Sequence, residues 1–238
     1  MQKKILVVGS GDNSELDASY FDLVYSANSS FTRLTNYKNI SLVLSDAMLF
    51  SSEILESHAP VPGMDRLDSN IFRLKKYSII DDQFFERILV VDNKNIDIES
   101  ALKRKNVSFR SLKKLSHKDV WRLVNFCFNY NELMTIFTHV PGVENKLRFL
   151  VQRLLNKKMN VSFRPSTGIN AIMIAVSENP GADIYISGIN VYSDTGVRQG
   201  KYSTGAITYK DDIHLLDSLY GRLLLGKNVS VLNYSGRD

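Results

Sequence analysis

The sequence predicts an α/β fold: a single Rossmann-like domain, with a mostly parallel twisted sheet and helices on both faces. Three observations lead there. Short, continuous apolar runs read as strands buried on both sides. In the second half of the chain they alternate with amphipathic helical stretches, the pattern that covers a parallel sheet on its two faces. Glycine or short polar residues close most of the runs, as expected where strands turn at the ligand-binding end of such a sheet.

Taken in order, KILVV (4–8) is a strand that enters a tight turn at Gly9-Ser10-Gly11. DLVYSA (22–27), SLVLS (41–45) and RILVV (87–91) are three more strands, and residues 107–109 are a weaker candidate. Residues 184–187 and 229–232 complete the set. Ser116-His117-Lys118-Asp119 resembles a capping box, with Asp in place of Glu or Gln. Behind it Val120, Leu123, Val124 and Cys127 repeat at helical spacing. Leu147, Leu150, Val151 and Leu154 do the same beyond Pro141-Gly142, which predicts another of the amphipathic helices that cover the sheet. Ile169, Ile172, Met173 and Val176 define another helix, and Ile213, Leu216, Tyr220 and Leu223 the last. The polar stretch with Pro60, Pro62 and Gly63 reads as an irregular insertion around 52–86 within one domain spanning 1–238.

Composition narrows the function. The chain has 238 residues, 44% of them hydrophobic, and nothing approaches the roughly 18 apolar residues of a membrane span. Residues 5–8 are too short for a signal-peptide core and read as a first strand. One cysteine, Cys127, excludes an internal disulfide and fits a reducing cytoplasm. The net charge of +5 is mild and scattered; it permits an acidic ligand or an anionic membrane surface, and no nucleic-acid module is present.

Strand ends are the places to search for a site. Gly9-Ser10-Gly11 has G-x-G without a third glycine, which disfavours a dinucleotide-dependent oxidoreductase. Asn28, Asp46 and Asp92-Asn93 follow the next strands; such residues make turns on their own account, and together they suit a ribose, base edge or phosphate. Between 161 and 192 the sequence runs from Arg164-Pro165-Ser166-Thr167-Gly168 through an apolar helix to a strand and a turn at Gly188. A helix N-terminus carrying hydroxyls and unpaired N–H groups suits a phosphate or carboxylate. Zinc, P-loop and serine-hydrolase patterns are absent: His58, His117, His139 and His214 stand far apart, and neither G-x-x-x-x-G-K-[ST] nor G-x-S-x-G occurs. Asp97-Ile98-Glu99 has the look of a metal-holding carboxylate pair but reads better as a helix start. Lys157 and Lys158 read as a solvated face.

The turn 164–168, its helix, and Ile184-Tyr185-Ile186-Ser187-Gly188-Ile189-Asn190-Val191-Tyr192 resemble the core of the CMP-sialic-acid-dependent sialyltransferases, above all the bacterial family that builds lipooligosaccharide sialosides. Residues 3–11, 24–28 and 42–46 are similar to that family's first three strands and their turns, so the likeness covers roughly half the chain. It implies a metal-independent, inverting glycosyltransferase that needs no cofactor and moves sialic acid from a CMP-activated donor to a hydroxyl of a surface glycan. A single phosphate on the leaving group makes a few neutral donors sufficient. By the resemblance Tyr192 takes the place of the first leaving-group tyrosine. Tyr202 is available as the second, although the ungapped position is Arg198. Ser166, Thr167 and Gly168, with Arg164, Gly188 and Asn190, hold the donor; Asn28 stands near the nucleotide; Ser10, Gly11 and Asp46 complete the donor site. A cytoplasmic location follows, at or near the inner face of the membrane, and peripheral membrane contact and homo-oligomerisation are both compatible with it. Family members often carry a basic or amphipathic membrane-touching tail, and residues 229–238 do not read as one.

The family's general-base histidine falls on Ile207 when Asp212 takes the acidic position that follows it. His214, Tyr209, Asp211 and Asp212 are the alternatives. That gap keeps a CMP-Kdo-dependent transferase of capsule or lipopolysaccharide synthesis in view, together with a non-catalytic Rossmann-like nucleotide-binding module.

Overall fold

The computed structural model describes residues 2–9, 14–45, 49, 65–68, 71, 78–91, 97–160, 162–189, 191 and 216–232. Among the described residues nine strands are present: β1 (Lys4–Val8), β2 (Leu16–Asp17), β3 (Leu23–Ala27), β4 (Leu34–Thr35), β5 (Ile40–Ser45), β6 (Phe84–Val91), β7 (Ser108–Leu115), β8 (Asp183–Ser187) and β9 (Val229–Val231). The α-helices are α1 (Ile98–Arg104), α2 (His117–Cys127), α3 (Tyr130–His139), α4 (Val143–Leu154), α5 (Thr167–Glu178) and α6 (Asp217–Leu225). β2 and β4 form a two-stranded pair; the other seven make one sheet in the order β7-β6-β5-β3-β1-β8-β9. Every pairing in that sheet is parallel. The chain is thus a single Rossmann-like α/β domain.

Alternation along each strand sends side chains to opposite faces, and both faces are covered. Ile5, Val7, Val43, Leu89 and Ile186 pack with α2, α3, α5 and α6 in one core. Leu6, Val8, Leu42, Leu44 and Val90 pack with Phe31, Ile80 and the Ile98, Leu102 side of α1 in the other. This two-sided burial is why the strands read as unbroken apolar runs rather than as alternating ones. α5 is central: Gly168 through Ala175 are all buried, so it is enclosed around its whole circumference.

The helix starts have clear local causes. Ser116 accepts from Asp119 N–H while the Asp119 carboxylate accepts from Ser116 N–H, so aspartate does close the capping box. Asp97 caps α1, with its carboxylate bound to the N–H and hydroxyl of Ser100, which makes this carboxylate a helix start. α3, which the apolar spacing did not reveal, begins with a second reciprocal box between Asn129 and Glu132.

Three expectations need correction, and a fourth lies partly outside the described residues. β6 begins at Phe84, inside the segment read as insertion, because Phe85 is a core residue that the polar neighbours Gln83 and Glu86 disguise. The weak strand at 107–109 becomes the eight-residue β7; its partly exposed pattern hid it, since it is an edge strand paired only to β6. The expected last helix is present as Asp217–Leu225 and carries Tyr220 and Leu223, with Ile213 outside the described residues. The stripe Leu147, Leu150, Val151 and Leu154 does lie on a helix, but it faces away from the core: all four side chains are exposed. Helical spacing reveals a stripe, and only the neighbours decide whether it is covered.

Candidate functional site

Strand order reverses at β1. From it the chain builds outward through β3, β5, β6 and β7, then returns to add β8 and β9 on the other side. In open parallel sheets ligands bind beyond the carboxyl ends of the strands at such a reversal. Here those ends are Val8-Gly9 and Ser187-Gly188, aligned by the pairing of Val8 with Ser187 and by a 2.8 Å bond from Gly9 N–H to Ser187 O.

The two turns approach each other so closely that glycine is required at both. Gly188 has φ of +66°, and a Cβ added there would stand 2.4 Å from Gly9 O. A Cβ on Gly9 would meet Gly188 O at 2.6 Å. Arg33 ties this junction together: its Nη1 donates to Gly9 O at 2.8 Å, its Nε to Ser14 O at 3.0 Å, and its Nη2 to Ser187 Oγ at 3.4 Å. The guanidinium therefore brings a buried-side positive charge to the reversal point. Ser30 Oγ braces it from behind, 2.7 Å from Val8 O and 2.8 Å from Ala27 O.

α5 precedes β8 and runs antiparallel to it, so its N-terminus lies at the same end of the sheet. A Cβ on Gly168 would be in ordinary contact with the Ile189 side chain at 3.5 Å, which places the 164–168 turn beside the exit of β8. Ser166 is buried and caps the helix, accepting from Ile169 N–H at 3.4 Å. Thr167 is partly exposed and opens the first turn, where the leading N–H groups have no intrahelical partners. Asn170, one turn in, donates to Pro165 O at 3.2 Å and Ser166 O at 3.0 Å, which holds the turn in shape. Asp217, at the start of α6, accepts from Ser166 N–H at 2.9 Å, and the Tyr220 hydroxyl donates to Phe163 O at 2.7 Å. Burial, with the Asp217 charge beside it, raises the Tyr220 pKa, so this hydroxyl stays a neutral donor.

Several of the predicted residues meet here. Ser166, Thr167, Gly168 and Gly188 share the carboxyl end of the sheet, and Arg164 leads into it partly buried. Asn28 lies at the end of β3 in the left-handed region, φ 53°, and its Oδ1 accepts from Ser45 N–H at 2.9 Å. It thus pins the end of β3 to β5. Ser10, Gly11, Asp46, Asn190, Tyr192, Arg198, Tyr202, Asp212 and His214 lie outside the described residues. Among the described residues no three metal-ligating side chains gather at one point.

Sequence reasoning missed Arg33, Asn170 and Asp217. Arg33 reaches Ser187 across 154 positions and Asp217 reaches Ser166 across 51, separations that leave no local pattern. At the opposite end of the sheet Glu178 takes a bidentate contact from Arg87, both distances 2.6 Å, and a bond from the Tyr25 hydroxyl at 2.8 Å. That cluster anchors the C-terminus of α5 and so aims its N-terminus.

Compared with known proteins, the chain matches no protein-family model, no curated protein and no solved structure. Its fold and the geometry of the β1–β8 reversal therefore define the class: a Rossmann-like α/β domain with a candidate anion site at its strand ends.

Proposed function

We propose that this protein is a glycosyltransferase that moves a keto-acid sugar, sialic acid or Kdo, from a CMP-activated donor to a hydroxyl of a surface glycan. The observation that carries the reading is the nearness of Gly168 to Ile189, whose side chain a Cβ added at Gly168 would meet at 3.5 Å. It brings together the turn 164–168 and the segment that leads to Tyr192, the two halves of the motif on which the resemblance rests.

In this reading the first-turn N–H groups of α5 and the Ser166–Gly168 backbone receive the anionic part of the donor, by the attraction of a helix N-terminus for negative charge. The acceptor oxygen attacks the anomeric carbon, the bond from that carbon to the phosphate oxygen breaks, and CMP leaves with the electron pair. The Tyr192 hydroxyl donates to the departing phosphate, with Tyr202 or Arg198 beside it. The acceptor's proton passes to a base drawn from Asp212, His214, Tyr209 and Asp211. The donor is a substrate, and no further cofactor is invoked.

The deciding experiment incubates the full chain with CMP-sialic acid or CMP-Kdo and a panel of acceptor glycans, measuring CMP release and the new glycoside. Turnover with either donor supports the reading and names the sugar. CMP binding with no turnover across the panel replaces it with a non-catalytic nucleotide-binding module.

A further inference from the structure

α4 is turned inside out relative to the rest of the molecule. Val143, Leu147, Leu150, Val151 and Leu154 fall within an arc of about 100° on its surface, and that arc faces solvent. Val143 is 86% exposed, Leu147 62% and Leu154 79%. The side turned to the protein is mostly polar. Phe149 is the only buried residue of the helix, held among Trp121, Phe137 and Phe163. Asn145, Lys146, Gln152 and Arg153 are the partly buried ones. Lys146 lies 6.0 Å over the Phe137 ring and Arg153 donates to Asn125 Oδ1, so the inner contacts are made through amphipathic stems.

Charge tells what covers the outer face. Between positions 143 and 158 stand Lys146, Arg148, Arg153, Lys157 and Lys158 against a single acid, Glu144, which pairs with Arg148 on the helix itself. Arg148 lies beyond one edge of the apolar arc, Lys146 and Arg153 lie beyond the other with their stems against the protein, and Lys157 and Lys158 follow at exposed positions just past the helix. A second copy laid helix against helix would bring two such cationic borders together. An anionic bilayer takes both features at once, with the leucines among the acyl chains and the cations at the headgroups.

We propose that α4 is a membrane-surface helix that docks this domain on anionic lipid, with the stripe from Val143 to Leu154 inserted at the headgroup boundary. The proposal does not depend on the transfer reaction. It gives a use to a stripe that the core leaves uncovered.

The test is co-sedimentation of the full chain with vesicles of phosphatidylcholine alone or phosphatidylcholine mixed with phosphatidylglycerol. Binding should require phosphatidylglycerol, weaken as salt rises, and fall roughly tenfold or more in the Leu147→Ser, Leu154→Ser double variant. A second measurement guards against a variant that fails to fold. Cys127 is buried, so an environment-sensitive dye on Leu147→Cys labels one site; its emission should shift to the blue with anionic vesicles, while the same dye on Lys103→Cys should not respond. No binding to anionic vesicles, equal binding by the double variant, or equal shifts at both dye positions would overturn the proposal. So would a dimer without lipid that the same two substitutions disperse.

Discussion

Gly188 and Gly9 meet at the end of the paired strands β1 and β8 with no room between them for a methyl group: a Cβ on Gly188 would stand 2.4 Å from the Gly9 carbonyl oxygen. Gly188 also has a positive φ, which a side chain disfavours. Gly188→Ala combines that strain with a clash against backbone that cannot swing away. The expected loss is about 2–4 kcal/mol of stability, read from urea unfolding. A variant as stable as the parent would show that the turns can part freely.

Arg33 holds the same junction from the side. Arg33→Met keeps most of the stem but removes donors to Gly9 O, Ser14 O and Ser187 Oγ. With charged hydrogen bonds worth about 1.5–3 kcal/mol each and partly replaced by water, a total loss of roughly 2–3 kcal/mol is expected. If the reversal point takes an anionic ligand, CMP affinity measured by calorimetry should also drop.

The pH dependence of stability should expose the Arg87–Glu178 pair. Burial alone would raise the Glu178 pKa, but hydrogen bonds from Arg87 and Tyr25 outweigh it and hold the carboxyl below its usual range. A folded value below the unfolded one means that the contribution is complete above the unfolded pKa and is lost as pH falls through the folded one. Glu178→Gln should cost roughly 1–3 kcal/mol near neutral pH, between an exposed and a buried pair. Parent and variant should converge in thermal melts taken in acid; a gap that stays constant with pH would contradict the assignment.

Cys127 should be inert in the folded chain. Burial pushes its thiol up to about 12, and its Sγ lies 3.7 Å from Met173 O. Near pH 8, Ellman's reagent should react at least about a hundredfold more slowly with native protein than with protein in denaturant. Equal rates would mean that α2 opens readily away from α5.

Within the proposed reaction, Tyr192→Phe should lower kcat with little change in donor affinity, as expected for a hydroxyl that acts on the departing phosphate. Steady-state kinetics alongside CMP-donor titration separates the two; an unchanged kcat removes Tyr192 from that role.

Much of this could be read in advance, for local reasons. The apolar runs at 4–8, 22–27, 41–45 and 184–187 were legible as strands because a sheet buried on both faces needs unbroken apolar sequence. The Ser116 cap was legible because its partner Asp119 is three residues away. β7 and α3 were harder to see, the first because an edge strand mixes exposed and buried residues, the second because its Asn-x-x-Glu box lacks the usual Ser or Thr. At the candidate site Ser166–Gly168 carried a local signature, whereas Arg33 and Asp217 carried none.

Residue order alone thus established the parallel α/β class and helix starts such as those at Ser116 and Ser166, since each depends on neighbours within a few positions. Folding decided what depends on distant partners. It brought Gly9 against Gly188 and Arg33 between them, tied Asp217 to Ser166, and left the leucines of α4 facing outward. A stripe's spacing sets which side chains share a face, but the side that turns to the core is settled by what the rest of the chain packs there. In α4 the single aromatic Phe149 won the inner side, and five aliphatic residues were left to the surface.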